Sequence, residues 1–295
     1  MTWTLRFAIV LLSASPAIAE EPPPRVKIQK NIVYTTIDGL ALRVDMASPI
    51  GRKGPRPACV CIHGGAWRGG HRSDLSLPNT LFYNRSLIEM LAEEGYVAIS
   101  VSYRLAPRAQ FPAQILDCKT AVRWLRANAT KYNVDPNRIG GVGFSAGGHL
   151  TCLMGTCDKN DGFDTTEFGE VSSELQAAVN FFPPTDISMY GNIPLEESLL
   201  KPWLGALFRD KPEVFKRASP IEYCKKSCCP MLFIHGTEDI LVPIEHSRKM
   251  VAKLKELGVP TELMELEGES HGWVGDPVKK SNDRMLRFLA EHLKP

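Results

Sequence analysis

The stretch GGVGFSAGGHL, residues 140–150, surrounds one serine with glycines and small residues. The residues before it predict a short buried strand, and those after it predict a helix, so Ser145 falls at a strand-to-helix turn. Gly143 to Gly147 matches the pattern G-x-S-x-G, in which small neighbours allow a strained turn to hold a serine hydroxyl above a sheet. The pattern therefore indicates a nucleophilic serine. The alternative is a tight turn with a surface serine.

The rest of the chain predicts the sheet that such a turn requires. Two extended runs, residues 26–36 and 40–48, flank Asp38-Gly39, which is typical of an antiparallel hairpin. Beyond it, short apolar strands alternate with helical segments. We expect an α/β fold: a mostly parallel, twisted sheet with helices on both faces and the hairpin at one edge.

The first residues differ in character from the rest. Arg6 is followed by an apolar run and then by Ala17-Ile18-Ala19, which predicts a secretory signal peptide, residues 1–19, cleaved after Ala19. The apolar run is too short and too interrupted for stable membrane insertion. We therefore expect a secreted or periplasmic protein with one domain, residues 20–295.

Composition limits the classes of function. The chain is 44% hydrophobic and 23% charged with a formal net charge of +2, and no basic run indicates a nucleic-acid partner. Cys224, Cys228 and Cys229 are spaced to hold one disulfide, but no partner pair suits a metal. We expect neither a metal nor another cofactor, and the oligomeric state stays open.

A nucleophilic serine needs a histidine base, and His271 is the best candidate. In enzymes with this elbow the acid and then the histidine follow the serine along the chain. The competing histidines either precede Ser145 or lie in predicted helices: His63, His71, His149, His246 and His292. His271 instead lies in a loop directly after the last predicted strand.

Asp239 is the candidate acid. It lies in the turn that follows the predicted strand 230–236, where a carboxylate can orient the histidine and stabilise the imidazolium. Glu238 is the neighbouring alternative. Asp239 also suits the start of the helix predicted from Pro243.

Backbone N–H groups are expected to bind the oxyanion of the reaction. One belongs to Ala146, the residue after the serine. The glycine-rich stretch 61–70 ends an earlier strand, and Gly64 and Gly65 are the candidate donors there. Trp67 and Trp273, beside the loop and beside the base, are candidates for substrate contact.

Several segments, spread over nearly the whole chain, together resemble a known family. HGGAW (63–67), SYRLAPRAQFPA (102–113), residues 135–150, HGTEDILVP (235–243) and ESHGW (269–273) are similar to α/β-hydrolase carboxylesterases related to hormone-sensitive lipase. The greatest similarity is to bacterial secreted acetyl-xylan and feruloyl esterase-like (BD-FAE-like) proteins. The resemblance implies the α/β-hydrolase fold, a Ser145–Asp239–His271 triad, and Gly64, Gly65 and Ala146 as oxyanion donors. Two features depart from the lipase pattern: Ala66 replaces a third glycine, and no helical cap precedes the first strands.

The resemblance implies a serine carboxylesterase that cleaves short-acyl esters of small molecules or glycans, with acetyl and hydroxycinnamoyl esters of polysaccharides as candidates. An amidase, formamidase or peptidase on the same fold is an alternative, as is a binding protein that lost its chemistry. The insertion at residues 183–227 is charged and broken by prolines, and only residues 199–208 offer an apolar surface. We therefore expect a shallow, open site that prefers acetyl to butyryl esters.

Overall fold

The computed structural model describes residues 26–51, 54–76, 85–194 and 196–294. The predicted signal peptide and its cleavage site lie outside the described residues. So does the first part of the helix expected near residues 81–94, whose described part is helical from Leu87 to Glu93.

The predicted hairpin forms one edge of the sheet. Strands β1 (Val26–Ile37) and β2 (Leu40–Pro49) pair antiparallel. Asp38 and Gly39 between them have φ of 50° and 78°. These left-handed conformations, which Asp-Gly adopts readily, match the right-handed twist of the paired strands and fix the register.

Six parallel strands continue the sheet within the described residues. They are β3 (Arg56–Ile62), β4 (Val97–Val101), β5 (Val134–Phe144), β6 (Ala177–Phe181), β7 (Met231–Gly236) and β8 (Thr261–Leu266). The spatial order is β1-β2-β4-β3-β5-β6-β7-β8, with β2 antiparallel to β4 and the later neighbours parallel. The predicted α/β-hydrolase fold class is confirmed.

Helices cover both faces of this sheet. They are α1 (Ser73–Ser76), α2 (Leu87–Glu93), α3 (Ala113–Ala127), α4 (Ala129–Tyr132), α5 (Ala146–Thr156), α6 (Lys201–Leu204), α7 (Pro212–Arg217), α8 (Glu245–Glu256) and α9 (Asp276–Leu293). Two hydrophobic cores result. In the first, α3, α5 and α8 pack against the sheet, and in the second, α2 and α9 do so. Along β3, Val60 belongs to the first core, whereas Cys59 and Cys61 belong to the second. This alternation follows from the two-residue period of a strand.

The cysteines pack in the protein interior or close to it. All eight lie among the described residues and are free thiols, so the structure holds no bridge among Cys224, Cys228 and Cys229. The described residues also contain no cluster of histidine, cysteine and acidic side chains arranged for a metal ion. No described helix combines the length and apolar character needed to cross a bilayer.

The insertion between β6 and β7 consists of short helical pieces. Besides α6 and α7 it contains 3₁₀ turns at Ile187–Tyr190 and Pro220–Tyr223 and a π-helical turn at Glu196–Leu200. The buried Glu196 carboxylate stabilises it, because it accepts hydrogen bonds from the backbone N–H groups of Asn192 and Phe208. These hydrogen bonds tie the π-helical turn to the segments on either side of it.

Candidate active site

Ser145 sits in a strained turn between β5 and α5. Its φ of 55° and ψ of −119° are unfavourable for a residue with a side chain. The turn is held by hydrogen bonds from the Ser145 N–H to Phe181 O and from the His149 N–H to Ser145 O, both 2.9 Å. A Cβ at Gly147 would overlap with the carbonyl oxygens of Ile62 and His63. The motif glycine is thus required by the close approach of α5 to the end of β3.

The turn brings Ser145 against His271, which the chain supplies much later. The His271 Nε2 atom lies 2.9 Å from Ser145 Oγ, and its Nδ1 atom lies 2.7 Å from Asp239 Oδ2. The His271 side chain is 19% exposed, while that of Asp239 is fully buried. Serine, imidazole and carboxylate therefore form one continuous hydrogen-bonded chain whose carboxylate end is closed to solvent.

Four donors surround the Asp239 carboxylate. Oδ1 accepts hydrogen bonds from the backbone N–H groups of Leu241 and Val242, at 3.0 and 2.8 Å. Oδ2 accepts from His271 and lies 3.3 Å from His235 Nε2. Burial by itself raises the pKa of Asp239, but the hydrogen bonds from His235, His271 and Val242 outweigh it and hold the pKa well below its usual range. Asp239 is therefore ionised at neutral pH.

The structure separates the two acids that the sequence left open. Glu238 is exposed, and its backbone N–H donates to Glu269 O. Asp239 is the one that reaches His271. Its carboxylate stabilises the turn at residues 239–242 and does not cap α8, whose N-terminal residue is preceded by Ile244.

His235 contacts the acid and was missed by the sequence reasoning. It is buried in the last part of β7, where Nδ1 lies 2.7 Å from Ser247 Oγ and Nε2 lies 2.8 Å from Val242 O. Since a carbonyl can only accept, Nε2 carries the proton and directs it towards Val242 O and Asp239. Its position four residues before Asp239, in the stretch FIHGTED, was the available signal.

The predicted oxyanion loop lies directly beside the serine. A Cβ built on Gly64 would stand 3.3 Å from Ser145 Cβ, so this glycine allows the close approach. Gly65 has a φ of 107°, and Ala66 and Trp67 have φ of 52° and 58°. These left-handed conformations turn the loop sharply. Ala66, at the site of the missing third glycine, lines the cavity next to Ser145 together with Ala146.

Buried hydrogen bonds fix this loop from behind. His63 Nδ1 donates to Gly64 O at 2.7 Å, and burial lowers the pKa of His63 to about 4, so the ring is neutral. Tyr103 stacks on His63 and donates its hydroxyl to His63 O at 3.0 Å. His63 thus supports the loop and takes no part in a proton relay with Ser145.

A small apolar cavity opens above the serine. Its volume is about 200 Å³. It is lined by Ala66, Trp67, Ser145, Ala146, Pro184, Tyr190, Leu199, Leu200, Leu241 and Val242. The insertion supplies Tyr190, Leu199 and Leu200, so it forms a wall of the site.

The two candidate tryptophans lie in different places. Trp67 lines the cavity, stacks on Trp203 at a ring separation of 3.6 Å, and donates its indole N–H to His149 Nδ1 at 3.1 Å. Trp273 is 5% exposed, packs against Phe181 and Phe182, and is not among the residues that line this cavity. Its indole N–H donates to Ser281 at 3.0 Å, which directs it into the core.

Solved structures with this fold include several esterases. The chain is 26% identical to a truncated carbohydrate esterase from gut microbiota, with a TM-score of 0.78 over 94% of this chain and 99% of that one. It is 30% identical to the propionate-bound esterase 2 of Thermogutta terrifontis, with a TM-score of 0.74 over 93% of this chain and 97% of that one.

The sequence comparisons agree with the structural ones. Esterase LipC of Mycobacterium tuberculosis is 33% identical over 231 residues, which is 74% of this chain and 53% of LipC. The chain spans about half the length of the curated relatives it matches. The BD-FAE family matches residues 44–254, well over half of the chain. With the sheet order and the serine elbow described above, this match shows that the chain belongs to the BD-FAE family and has the α/β-hydrolase fold.

Proposed function

We propose that the protein is a serine carboxylesterase that hydrolyses short-acyl esters through an acyl-enzyme. The observation that carries the proposal is the continuous contact Ser145 Oγ–His271 Nε2 (2.9 Å) and His271 Nδ1–Asp239 Oδ2 (2.7 Å). This geometry lies within the range needed for proton transfer between a nucleophile and its base.

In the proposed reaction Ser145 Oγ attacks the ester carbonyl while His271 Nε2 takes its proton. The imidazolium that forms is stabilised by the ionised Asp239, and it then protonates the departing alcohol. Water attacks the acyl-serine with His271 again as the base, and the carboxylic acid leaves. The low pKa of Asp239 keeps the orienting acid charged throughout this cycle.

The tetrahedral intermediate requires N–H donors beside Ser145. Ala146 follows the serine at the start of α5, where backbone N–H groups have no partner within the helix. The loop 64–66 is the second source. Gly64 and Gly65 are the donors proposed from the sequence, and Ala66, which lines the cavity beside Ser145, is a further candidate. Each such donor is worth on the order of 10² to 10³ in kcat.

The cavity supports a preference for short acyl groups. Its volume of about 200 Å³ lies below the roughly 300–1,000 Å³ that is usual for pockets that enclose drug-sized ligands. The related Thermogutta terrifontis esterase has been solved with propionate and with butyrate bound. We propose acetyl to butyryl esters as substrates, with acetylated or feruloylated polysaccharides as the natural class, because a carbohydrate esterase is among the structural relatives.

The proposal includes export, which rests on the sequence alone. A signal peptide cleaved after Ala19 gives a mature protein that begins at Glu20 and lies outside the cytoplasm. N-terminal sequencing of the protein recovered from periplasm or medium tests this. An intact Met1 contradicts it.

The activity is tested with p-nitrophenyl esters from acetyl to dodecanoyl. We expect the highest kcat/KM between acetyl and butyryl esters. Ser145→Ala and His271→Ala should each lose activity by orders of magnitude, while both variants fold as the wild type does. Mass spectrometry with an organophosphate should find a single adduct on Ser145. A near-normal Ser145→Ala variant refutes the mechanism, and a maximum at octanoyl or longer refutes the short-acyl preference.

A further inference from the structure

A second concave surface, separate from the catalytic cavity, is rich in arginine. This arginine groove has a volume of about 670 Å³ and lies between the β1–β2 hairpin and the loops at residues 68–72 and 102–109. Its basic side chains are Arg43, Arg68, Arg72, Arg104 and Arg108. The whole chain has a formal net charge of only +2, so this concentration of positive charge is local.

Two of these arginines already have carboxylate partners. Arg72 pairs with Asp45 at 3.0 Å, and Arg104 pairs with Asp117 at 2.7 Å. Both acids are buried, so these pairs are part of the scaffold.

The other three arginines have no carboxylate partner within the described residues. Arg43 donates to Ala41 O at 3.2 Å and Arg68 donates to Ser198 O at 2.5 Å, both neutral acceptors. Arg108 is exposed. One acid, Asp38 in the hairpin turn, also lines the groove and offsets part of this charge. A surplus of uncompensated arginine therefore remains, and clefts lined by one sign of charge attract ligands of the other.

The groove also has apolar surface. Leu40, which is 53% exposed, lines it together with Leu42, Leu105 and Pro107. A bare inorganic anion would gain nothing from such a surface. A sugar acid suits the groove better, because its ring offers C–H groups to the leucines. Its carboxylate can pair with a guanidinium, since both groups are planar.

The groove adjoins the catalytic cavity through a shared wall. Arg68 follows Trp67, which lines the cavity, and Trp67 O accepts the backbone N–H of Ala106, which lines the groove. Tyr103, also in the groove, donates to His63 O, next to the Gly64 that abuts Ser145. The groove thus lies against the loop that carries the proposed oxyanion donors.

We propose that the arginine groove binds the carboxylate of an acidic glycan and so directs the enzyme to ester groups on uronic-acid-bearing polysaccharides. The proposal rests on the proposed esterase function for its catalytic part, whereas the binding itself does not need activity. Arg43 and Arg108 are its chief anion contacts. Arg68 contributes, but it also holds the cavity wall through Ser198, so it is unsuitable for a clean test.

The first experiment measures binding by calorimetry with oligogalacturonate and, for comparison, neutral xylo-oligosaccharide. The variants are the double substitution Arg43→Gln/Arg108→Gln and the control Arg287→Gln, which removes an exposed charge from α9 outside the groove. Each exposed charge pair contributes up to about fivefold in affinity. We expect the double variant to bind oligogalacturonate about tenfold more weakly and the control to match the wild type, with the acidic ligand losing affinity as salt is raised.

The second experiment compares acetate release from acetylated polygalacturonate and from acetylated neutral xylan, with p-nitrophenyl acetate as the small substrate. The double variant should raise KM for the acidic polymer and leave the xylan and the small ester unchanged. The proposal for the arginine groove is overturned if the double variant affects the acidic and neutral polymers equally, or if it binds oligogalacturonate as the wild type does. If the wild type binds oligogalacturonate through these arginines but cleaves no ester, the proposed function fails and the binding site stands.

Discussion

Replacing Asp239 by asparagine should inactivate the enzyme without disrupting the turn that carries it. The carboxylate accepts from four sides: from two backbone N–H groups at Oδ1, and from His271 and His235 at Oδ2. Asparagine has one oxygen and one NH₂ group, so it can accept hydrogen bonds at only one of the two oxygen positions. The backbone N–H groups of Leu241 and Val242 cannot reverse, so the amide oxygen takes the Oδ1 position and the NH₂ group faces His271.

This orientation forces His271 into the wrong tautomer. A donor opposite Nδ1 requires Nδ1 to accept, so the proton moves to Nε2, which then faces Ser145 Oγ and cannot remove its proton. The corresponding substitution in chymotrypsin-like proteases lowers kcat about 10⁴-fold. We expect a similar loss here, equivalent to about 5.4 kcal/mol of transition-state stabilisation.

The test is kcat and KM for p-nitrophenyl acetate, with the unfolding midpoint measured alongside. KM should change little, since the ground-state cavity contains none of the altered atoms. Glu238→Gln is the matched control: it neutralises the exposed neighbouring acid and should behave as the wild type. An Asp239→Asn enzyme within an order of magnitude of wild-type kcat refutes the role of the carboxylate, and so does an equal loss in the control.

Three further predictions concern folding, pH and specificity. Gly147→Ala should prevent soluble folding, measured by expression and circular dichroism, because its methyl group would overlap with Ile62 O. Burial lowers the pKa of His149 to about 4, so the unfolded chain binds this proton near pH 6.5 and the folded chain does not. The contribution of His149 to the free energy of unfolding should therefore be fully present above pH 6.5 and should fall towards pH 4, by up to about 1.4 kcal/mol per pH unit. Chemical denaturation at several pH values should find this pH dependence missing in His149→Gln, whose amide can still pair with Ala218 O and Trp67. Leu199→Ala should enlarge the cavity and raise kcat/KM for longer acyl chains relative to acetyl by about fourfold for each methylene newly buried; an unchanged acyl series contradicts the assignment of this wall.

Features that depend on local backbone chemistry could be predicted from the sequence. The elbow could be identified because strained turns and close helix–strand contacts exclude side chains at Gly143 and Gly147. Asp38-Gly39 predicted the hairpin because few residues adopt left-handed conformations readily. Ser145, Asp239 and His271 could be selected because each follows a predicted strand, and reactive groups collect at the carboxyl ends of parallel strands. Their order along the chain matches that of enzymes with this elbow.

Contacts between side chains on separate elements of the fold could not be predicted in this way. His235 and Asp239 are close in the sequence, but their contact depends on how the turn 239–242 folds back on β7. Trp67 and Trp273 were equivalent candidates in the sequence, and packing directs one to the cavity and the other to the core. The arginine groove likewise joins the hairpin to loops 25 or more residues away. Such contacts are long-range, and neither propensity nor periodicity carries information about the position of one element relative to another.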